Sequence, residues 1–494
     1  MSIPPDAFHL TPSAPGTLQQ QIQALVSDGI VTGRFRAGER LPSSRGLAAH
    51  LGVSRITVTL AYTELVAGDW LTARGRSGYY VSDSAPRQPD FGPQPDRVET
   101  VDWGRALARR FAGGPRVDKP EDWRSYPFPF IYGQADAGLF DHQNWRQCAL
   151  RALGRRDFEA LTSDYYERDD PLLIDTIRRS ILPRRGIAAR PEEILLTMGA
   201  QNGLWIAAHL LLGPGRRAVL ENPCYPGLRA ILAETGCTVA TVDVDQDGLP
   251  PGLIPVGADV VLTTASHQSP TNATMPVDRR RALLARAEAD GFLIVEDDYE
   301  FELNFLRAAS PSLRSLDTGG RVIHVGSFSK SIFPGLRLGY LVASESFIRE
   351  ARALRATVLR HPPGHVQRTL AYFLSLGHYD AMLNRMAAAY RRRRSVMDEA
   401  IRATGLTLAG QGGTGGSSFW MEAPAGVDTE ALALRLRGRG VLIEPGRAFF
   451  APGAERRNFY RLAYSSIAPG KIAEGVGLIA EEVGRAELAP PPPP

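Results

Sequence analysis

Residues 324–340 read HVGSFSKSIFPGLRLGY, and they set the reading of the whole chain. The apolar run RVIHVG ends in a polar loop with Lys330 at its centre, the pattern of a buried strand delivering a loop. Lysine is scarce: Lys119, Lys330 and Lys471 are the only three, and the remainder of the 57 basic residues are arginine. A position that stays lysine in such a chain invites a role for the amine itself, because a guanidinium does not deprotonate. The Lys330 amine can condense with an aldehyde cofactor as a Schiff base and exchange it with other amines. Ser327 and Ser329 flank it with hydroxyls available to a phosphate. Arg337 offers a bidentate fork for the same group.

Working outward, EEILLT, RAVLEN, DVVLTT and GFLIVED repeat the same kind of short apolar run, mostly with a helical stretch behind each. That alternation predicts an α/β domain with a doubly wound, largely parallel sheet. Ligands bind such sheets at the carboxyl ends of the strands. Asp297 and Asp298 stand at one such end, and either carboxylate can keep a pyridine nitrogen protonated. Tyr299 follows and can donate to a phenolic oxygen. TMGAQNGLWIAAHLLL opens a helix after another strand, and the N–H groups of Gly199, Ala200 and Gln201 would face a phosphate there. Tyr225, in ENPCYPG, can stack on a cofactor ring. Arg461, in NFYRLAYS, can bring a carboxylate clamp from a separate element. From about 355 onward helices dominate, with strands near SSFWMEA and NFYRLAYS, so a small α+β C-terminal subdomain is expected within a domain spanning 126–486. RRRR at 391–394 reads as a solvated helix face. Residues 487–494 read as a disordered, Pro-rich tail.

The N-terminal part reads differently. Leu18, Ile22, Leu25, Val26 and Ile30 fall at helical spacing. Ser43 or Ser44 can cap a second helix, SRGLAAHL, and Ser54 a third, RITVTLAYTELVAG. WLTARGRSGYYVS then alternates as a hairpin would. Helix, turn, helix and hairpin over 14–83 make a winged helix-turn-helix of α+β class, whose recognition helix places its first residues against base edges. Those are Ser54, Arg55, Thr57 and Val58. Arg55 can pair bidentately with guanine, Arg45 suits a phosphate, and Arg74 and Arg76 sit at the wing. Leu47, Leu51, Val53, Val58, Ala61 and Leu65 form the expected buried side. Seven arginines against six acids in residues 1–83 argue nothing by bulk charge; their positions carry the reading. Residues 84–125, rich in Pro, Gly and charge, read as a linker with a short helix around DWGRALARRF.

GRFRAGERLPSSRGLAAHLGVSRITVTLAYTELVAGDWL closely resembles the winged-helix domain of GntR-type bacterial regulators. The segments of the larger domain, taken in chain order, resemble fold-type I, class I/II aminotransferases, and the fusion of the two resembles the MocR subfamily. The resemblance implies pyridoxal phosphate held by Lys330, with Asp297 rather than Asp298 at its pyridine nitrogen. It also implies a double-stranded DNA operator, an amino-compound effector or pyridoxal phosphate sensed by the aminotransferase-like domain, and a head-to-tail homodimer. This sequence departs from the pattern in SHQSPTNATMP, where Ser269 stands in place of the usual Asn and Asn272 in place of Gly. Ala200 replaces a common Ser or Thr. Loss of the Asn opposes efficient transamination, so an active aminotransferase with an appended DNA-binding domain is the alternative reading.

The chain has 494 residues, 44% hydrophobic and 22% charged, with a net charge of +4, an ordinary globular composition. No apolar run reaches the roughly 20 residues that span a bilayer. The first residues lack the basic start and apolar core of a secretory signal. Cys148, Cys224 and Cys237, with no CxxC pair, exclude a disulfide scaffold and a cysteine zinc site. A cytoplasmic protein without a metal or membrane partner is expected.

Overall fold

Three short polar side chains start the first helices. In the computed structural model, which describes residues 2–11, 15–86, 99–109, 111, 119–134, 136–164, 168–410, 414–453 and 456–488, Thr17, Ser43 and Ser54 each accept a backbone N–H three residues on. They open α1 (Leu18–Val31), α2 (Ser44–Leu51) and α3 (Arg55–Ala67). Gly52, at φ 66°, closes α2 in the left-handed region. The wing is the antiparallel pair β1 (Leu71–Ala73) and β2 (Tyr79–Val81). Leu47, Val58, Ala61 and Leu65 are buried with Ile22, Val26 and Ile30 of α1, and Leu51 and Val53 pack against them. Val58 therefore faces the core and not the bases. It shares its side of α3 with Ala61 and Leu65, and helical periodicity turns that side inward. Ile3 and Phe8 enter the same core although they precede the span read from the sequence. Their Pro-rich segment has no periodicity to read.

The chain divides into two units, 1–110 and 111–494. Much of the expected linker and the tail beyond 488 lie outside the described residues. A single turn, Trp103–Ala106, stands where the short helix is expected.

The first strand of the larger unit is β3 (Phe128–Pro129). Its main sheet has seven strands: β4 (Ile194–Thr197), β5 (Arg217–Asn222), β6 (Thr238–Asp243), β7 (Val260–Thr263), β8 (Leu293–Asp298), β9 (Val322–Ser327) and β10 (Gly339–Val342), in the order β4-β10-β9-β8-β7-β5-β6. β10 alone runs antiparallel to its neighbours. Only the Lys330 loop joins it to β9, too short a connection for a parallel crossover. β4, β7, β9 and β10 are buried along their whole length, as strands covered on both faces are. A four-stranded antiparallel sheet follows, from β11 (Thr407–Leu408), β12 (Ser418–Glu422), β14 (Glu444–Pro445) and β15 (Phe459–Ala463). β13 (Val441–Leu442) pairs in parallel with β3, so residues near 130 fold onto the C-terminal subdomain.

The arginine run at 391–394 is only half solvated. Arg391 and Arg392 are exposed on the helix His378–Thr404, but Arg393 and Arg394 are buried. Arg393 donates to Ser465 O and pairs with Asp136. Arg394 donates to Gly415 O at 2.8 Å and lies 4.7 Å from the Phe419 ring. Consecutive residues of a helix span too wide an arc to share one environment. Among the described residues no helix is long and apolar enough to cross a membrane, and no three His, Cys, Asp or Glu side chains gather as a metal site. The three cysteines are unpaired.

Tyr62, buried in α3, donates to Pro42 O at 3.1 Å and so ties α3 to the turn before α2. Tyr62→Phe leaves that carbonyl without its donor. We expect the variant to lose about 1 kcal/mol of stability, read as an earlier midpoint for the N-terminal unit in chemical denaturation of the full chain.

Candidate functional site

Four parallel strands end on one side of the main sheet, and their ends build one cavity of about 210 Å³. It is lined by Ala200 and Gln201 after β4, Tyr225 after β5, Asp297 at the end of β8 with Tyr299 beyond it, and Ser327, Ser329 and Lys330 at and after β9. Arg337 and Arg461 line it as well, so of the cofactor and effector residues singled out in the sequence all but Gly199 and Asp298 line this cavity. Tyr132, Leu204, Ser269 and Pro334 line it too. A second cavity, about 250 Å³ beside Leu434 and Leu442, gathers none of them.

Strand pleat decides between the neighbouring acids. Side chains alternate across a sheet, and Glu296 and Asp298 share the face away from the cavity. Asp298 pairs with Arg185 at 2.5 Å, and Glu296 accepts from His324 Nδ1 at 3.0 Å. Burial alone would raise the Asp298 carboxyl, but Arg185 and His324 outweigh it and hold it below its usual range. Asp297 takes the other face. Burial, then the Asp298 and Glu221 carboxylates, push its pKa up to about 7. One oxygen of Asp297 is buried with no hydrogen-bond partner among the described residues, and so is the Ser329 hydroxyl. A pyridinium N–H and a phosphate ester are the complements these two groups lack, so the cavity fits pyridoxal phosphate.

The phosphate end is built on close backbone. Gly199, at φ +78°, starts the helix Gly199–Leu211, and a Cβ there would lie 3.2 Å from Arg337 Nη2. Arg337 itself is left-handed, at φ 51°, and donates to Met198 O at 3.0 Å. Glycine thus lets the guanidinium lie beside the helix's first N–H groups. The Tyr225 hydroxyl donates to Gln201 Oε1 at 3.3 Å.

Lys330 is the half-buried member of the three lysines. Lys119 and Lys471 are exposed, whereas Lys330 Nζ lies 4.1 Å from the centre of the Tyr132 ring. Burial lowers its pKa to about 8, with Glu300 opposing and Arg461 adding to the shift. Arg461 rests on the same ring at 3.9 Å and on Phe449 at 4.7 Å. Its Nε donates to Glu444 Oε2 at 2.8 Å, across the β14–β15 pair that sets the two residues opposite each other. The terminal nitrogens are then what Arg461 offers to an anion. Tyr132 and Glu444 escaped the sequence reading. Tyr132 belongs to no motif, and only the β3–β13 pairing brings it here.

The divergent loop is firmly held. Gln268 Nε2 donates to Pro223 O at 2.7 Å. Asn272 is left-handed at φ 59°, the conformation that makes Gly common at this position. Asn is the residue that best tolerates it after Gly, and Asn272 Nδ2 donates to Ser418 O at 2.6 Å.

In the winged helix, Arg45, Ser54 and Arg55 are exposed and Thr57 is half-buried. The Ser54 and Thr57 hydroxyls bond each other at 2.7 Å. Arg74 stacks on Tyr80 at 4.7 Å. Arg76 lies on the turn Gly75–Ser77, and its side chain is outside the described residues.

The family model of aminotransferase class I and II matches residues 145–479, and that of the bacterial regulatory proteins of the gntR family matches 18–81. Similar chains include the HTH-type transcriptional regulator TauR of Rhodobacter capsulatus, 65% identical over 97% of this chain and 99% of that one. The pyridoxine biosynthesis regulator PdxR of Corynebacterium glutamicum is 34% identical over 80% of each chain. Among solved structures, the α-aminoadipate aminotransferase LysN of Thermus thermophilus superposes with a TM-score of 0.70 at 27% identity, over 78% of this chain and 99% of that one.

A Cβ on Gly133, whose φ is +70°, would fall 2.2 Å from Lys330 Nζ. We expect Gly133→Ala to displace the amine and weaken uptake of pyridoxal phosphate about tenfold, the equivalent of ~1.4 kcal/mol, measured by titrating the visible absorbance. Unchanged uptake would place the working position of the amine elsewhere.

Proposed function

The chain belongs to the aminotransferase class I and II family and, through its gntR-type reader, to the MocR subfamily of transcriptional regulators, and from that premise we propose that an amino compound bound at the Lys330 cavity controls how the reader engages an operator. The observation that carries this reading is the convergence of Lys330, Asp297, Arg337 and Arg461 on one cavity in a chain that also holds a winged helix. Pyridoxal phosphate, when bound, supplies an aldehyde that bonds reversibly to amines. Lys330 supplies the amine that an effector's amine competes with. Asp297 holds the ring's nitrogen end, and Arg337 with the Gly199–Gln201 turn holds the phosphate. Tyr225 covers the ring, and the terminal nitrogens of Arg461 take an anionic group of the effector. A ligand can shift the regulator between states only by its differential affinity for them. Ser269 on one wall and Arg461 on another belong to different subdomains, so a ligand that touches both can bias their arrangement.

In this reading the chain works in the cytoplasm as a head-to-tail homodimer on double-stranded DNA, with Arg45, Ser54, Arg55, Thr57, Arg74 and Arg76 toward the duplex. A second reading, turnover as an aminotransferase, is favoured by the complete set of Lys330, Asp297, Tyr225 and Arg461. It is opposed by Ser269, where a side-chain amide would be needed beside the ring's phenolic oxygen.

Lys330→Ala is expected to bind operator DNA with wild-type affinity and to lose the response to amino compounds, measured by fluorescence anisotropy across a panel of them. A response that survives would overturn the competition at Lys330. Bleaching of the visible band by an amino acid, reversed by a keto acid, would promote the enzyme reading.

The pH dependence has a definite sign. The amine reacts in its neutral form, and its lowered pKa brings that form in at lower pH than for an ordinary lysine, near 10.4. The rate of cofactor uptake by the cofactor-free protein should therefore rise with pH through about 8 and level off above it, followed by stopped-flow absorbance. A rate still climbing steeply at pH 10 would contradict it.

A further inference from the structure

The open face of α3 has less hydrogen-bonding capacity than its composition implies. The Ser54 hydroxyl accepts from Thr57 N at 3.1 Å and shares a proton with Thr57 Oγ1 at 2.7 Å. Thr59 Oγ1 donates to Arg55 O, and Thr63 Oγ1 to Thr59 O, each at 2.9 Å. A hydroxyl has one proton to give, and these threonines give theirs to their own helix. Thr63 and Glu64 are exposed further along the helix, but on the first two turns what projects besides Arg55 is aliphatic. Ile56 is 72% exposed and Leu60 is 50% exposed, while Val58, Ala61 and Leu65 turn into the core. Ile56 and Leu60 are four residues apart and so occupy one face.

Two adjacent exposed aliphatic side chains beside an arginine, on the leading turns of a recognition helix, call for an apolar surface in the groove. The major groove has one such feature, the C5-methyl group of thymine. We propose that Ile56 and Leu60 read thymine methyl groups, next to the base met by Arg55. Four residues rise about 6 Å along a helix, and base pairs are spaced about 3.4 Å apart. The two methyls therefore lie within about two steps of one another. This inference rests on the DNA-reading role proposed above for α3, and it adds the base identity that this chain's side chains select.

The test uses the full, cofactor-loaded chain and duplexes selected from a randomised library. In the selected sequence each thymine is replaced in turn by uracil, which removes only the methyl group, and affinity is measured at one fixed salt concentration. At one or two positions within two steps of each other, uracil should weaken wild-type binding about fourfold, as expected for one buried methyl. The same replacement should have little effect on Ile56→Ala or Leu60→Ala, the signature of a coupled pair. Both side chains are exposed, so thermal unfolding of the variants should match the wild type. Uracil without effect anywhere, or an effect undiminished in both variants, overturns the proposal. So does a change in sedimentation of the variants with unaltered DNA affinity, which would assign the two residues to a protein contact. Selection that enriches no sequence would instead sink the DNA-reading role itself, and this inference with it.

Discussion

Three consecutive acids, Glu296, Asp297 and Asp298, are buried at the end of β8, and the arrangement of the larger unit turns on how they are accommodated. Burying a carboxylate without a partner is costly. Pleat sends the outer two to one face, where Arg185 meets Asp298 and His324 meets Glu296. Arg280 stands 3.7 Å from Glu296 and donates to the backbone of Met275, Ala265 and Pro311. Those contacts bind the divergent loop and the helix Val277–Asp290 to the sheet. Ion pairs of this kind add little net stability over apolar packing, but losing one partner strands the other. Among the described residues no arginine or histidine pairs with the middle acid, and one of its oxygens has no hydrogen-bond partner.

The cations opposite are treated differently. Lys330 and Arg461 both lie against one ring, Tyr132, and Glu444 pairs with the arginine. The arginine stays charged and oriented, while the lysine is poised to lose its proton. One cavity thus holds two basic groups of contrasting character within a few ångströms of a common aromatic ring. The small subdomain is hydrogen-bonded to the loop that carries Ser269, through Asn272 and Ser418, and to Glu300 through Ser417. The cavity that Lys330 and Arg461 line thus lies where the two subdomains are hydrogen-bonded to each other.

The reader follows a simpler economy. Its caps and hydroxyls are used to hold three short helices, and its core extends to Ile3 and Phe8. What faces outward on α3 is what folding does not need.

Much of this was legible in the chain, because motif chemistry is local. A strand end, a turn glycine and the lysine after them are adjacent in sequence, so Gly199, Lys330, Arg337 and the pair Asp297 and Asp298 could be placed before any tertiary contact was known. Caps at Ser43 and Ser54 could be placed for the same reason. Other features depend on pairings between distant segments. The β3–β13 pair sets Tyr132 under Lys330, and the β14–β15 register sets Glu444 against Arg461. The direction of β10, the burial of Arg393 and Arg394, and the inward turn of Val58 were likewise settled by packing. The sequence by itself determined which chemical groups stand at the strand ends and which helices form, since those follow from local spacing. Only the tertiary structure decided which carboxylate faces the cavity and which cations are neutralised, because charge and orientation are set by neighbours that the chain brings together from afar.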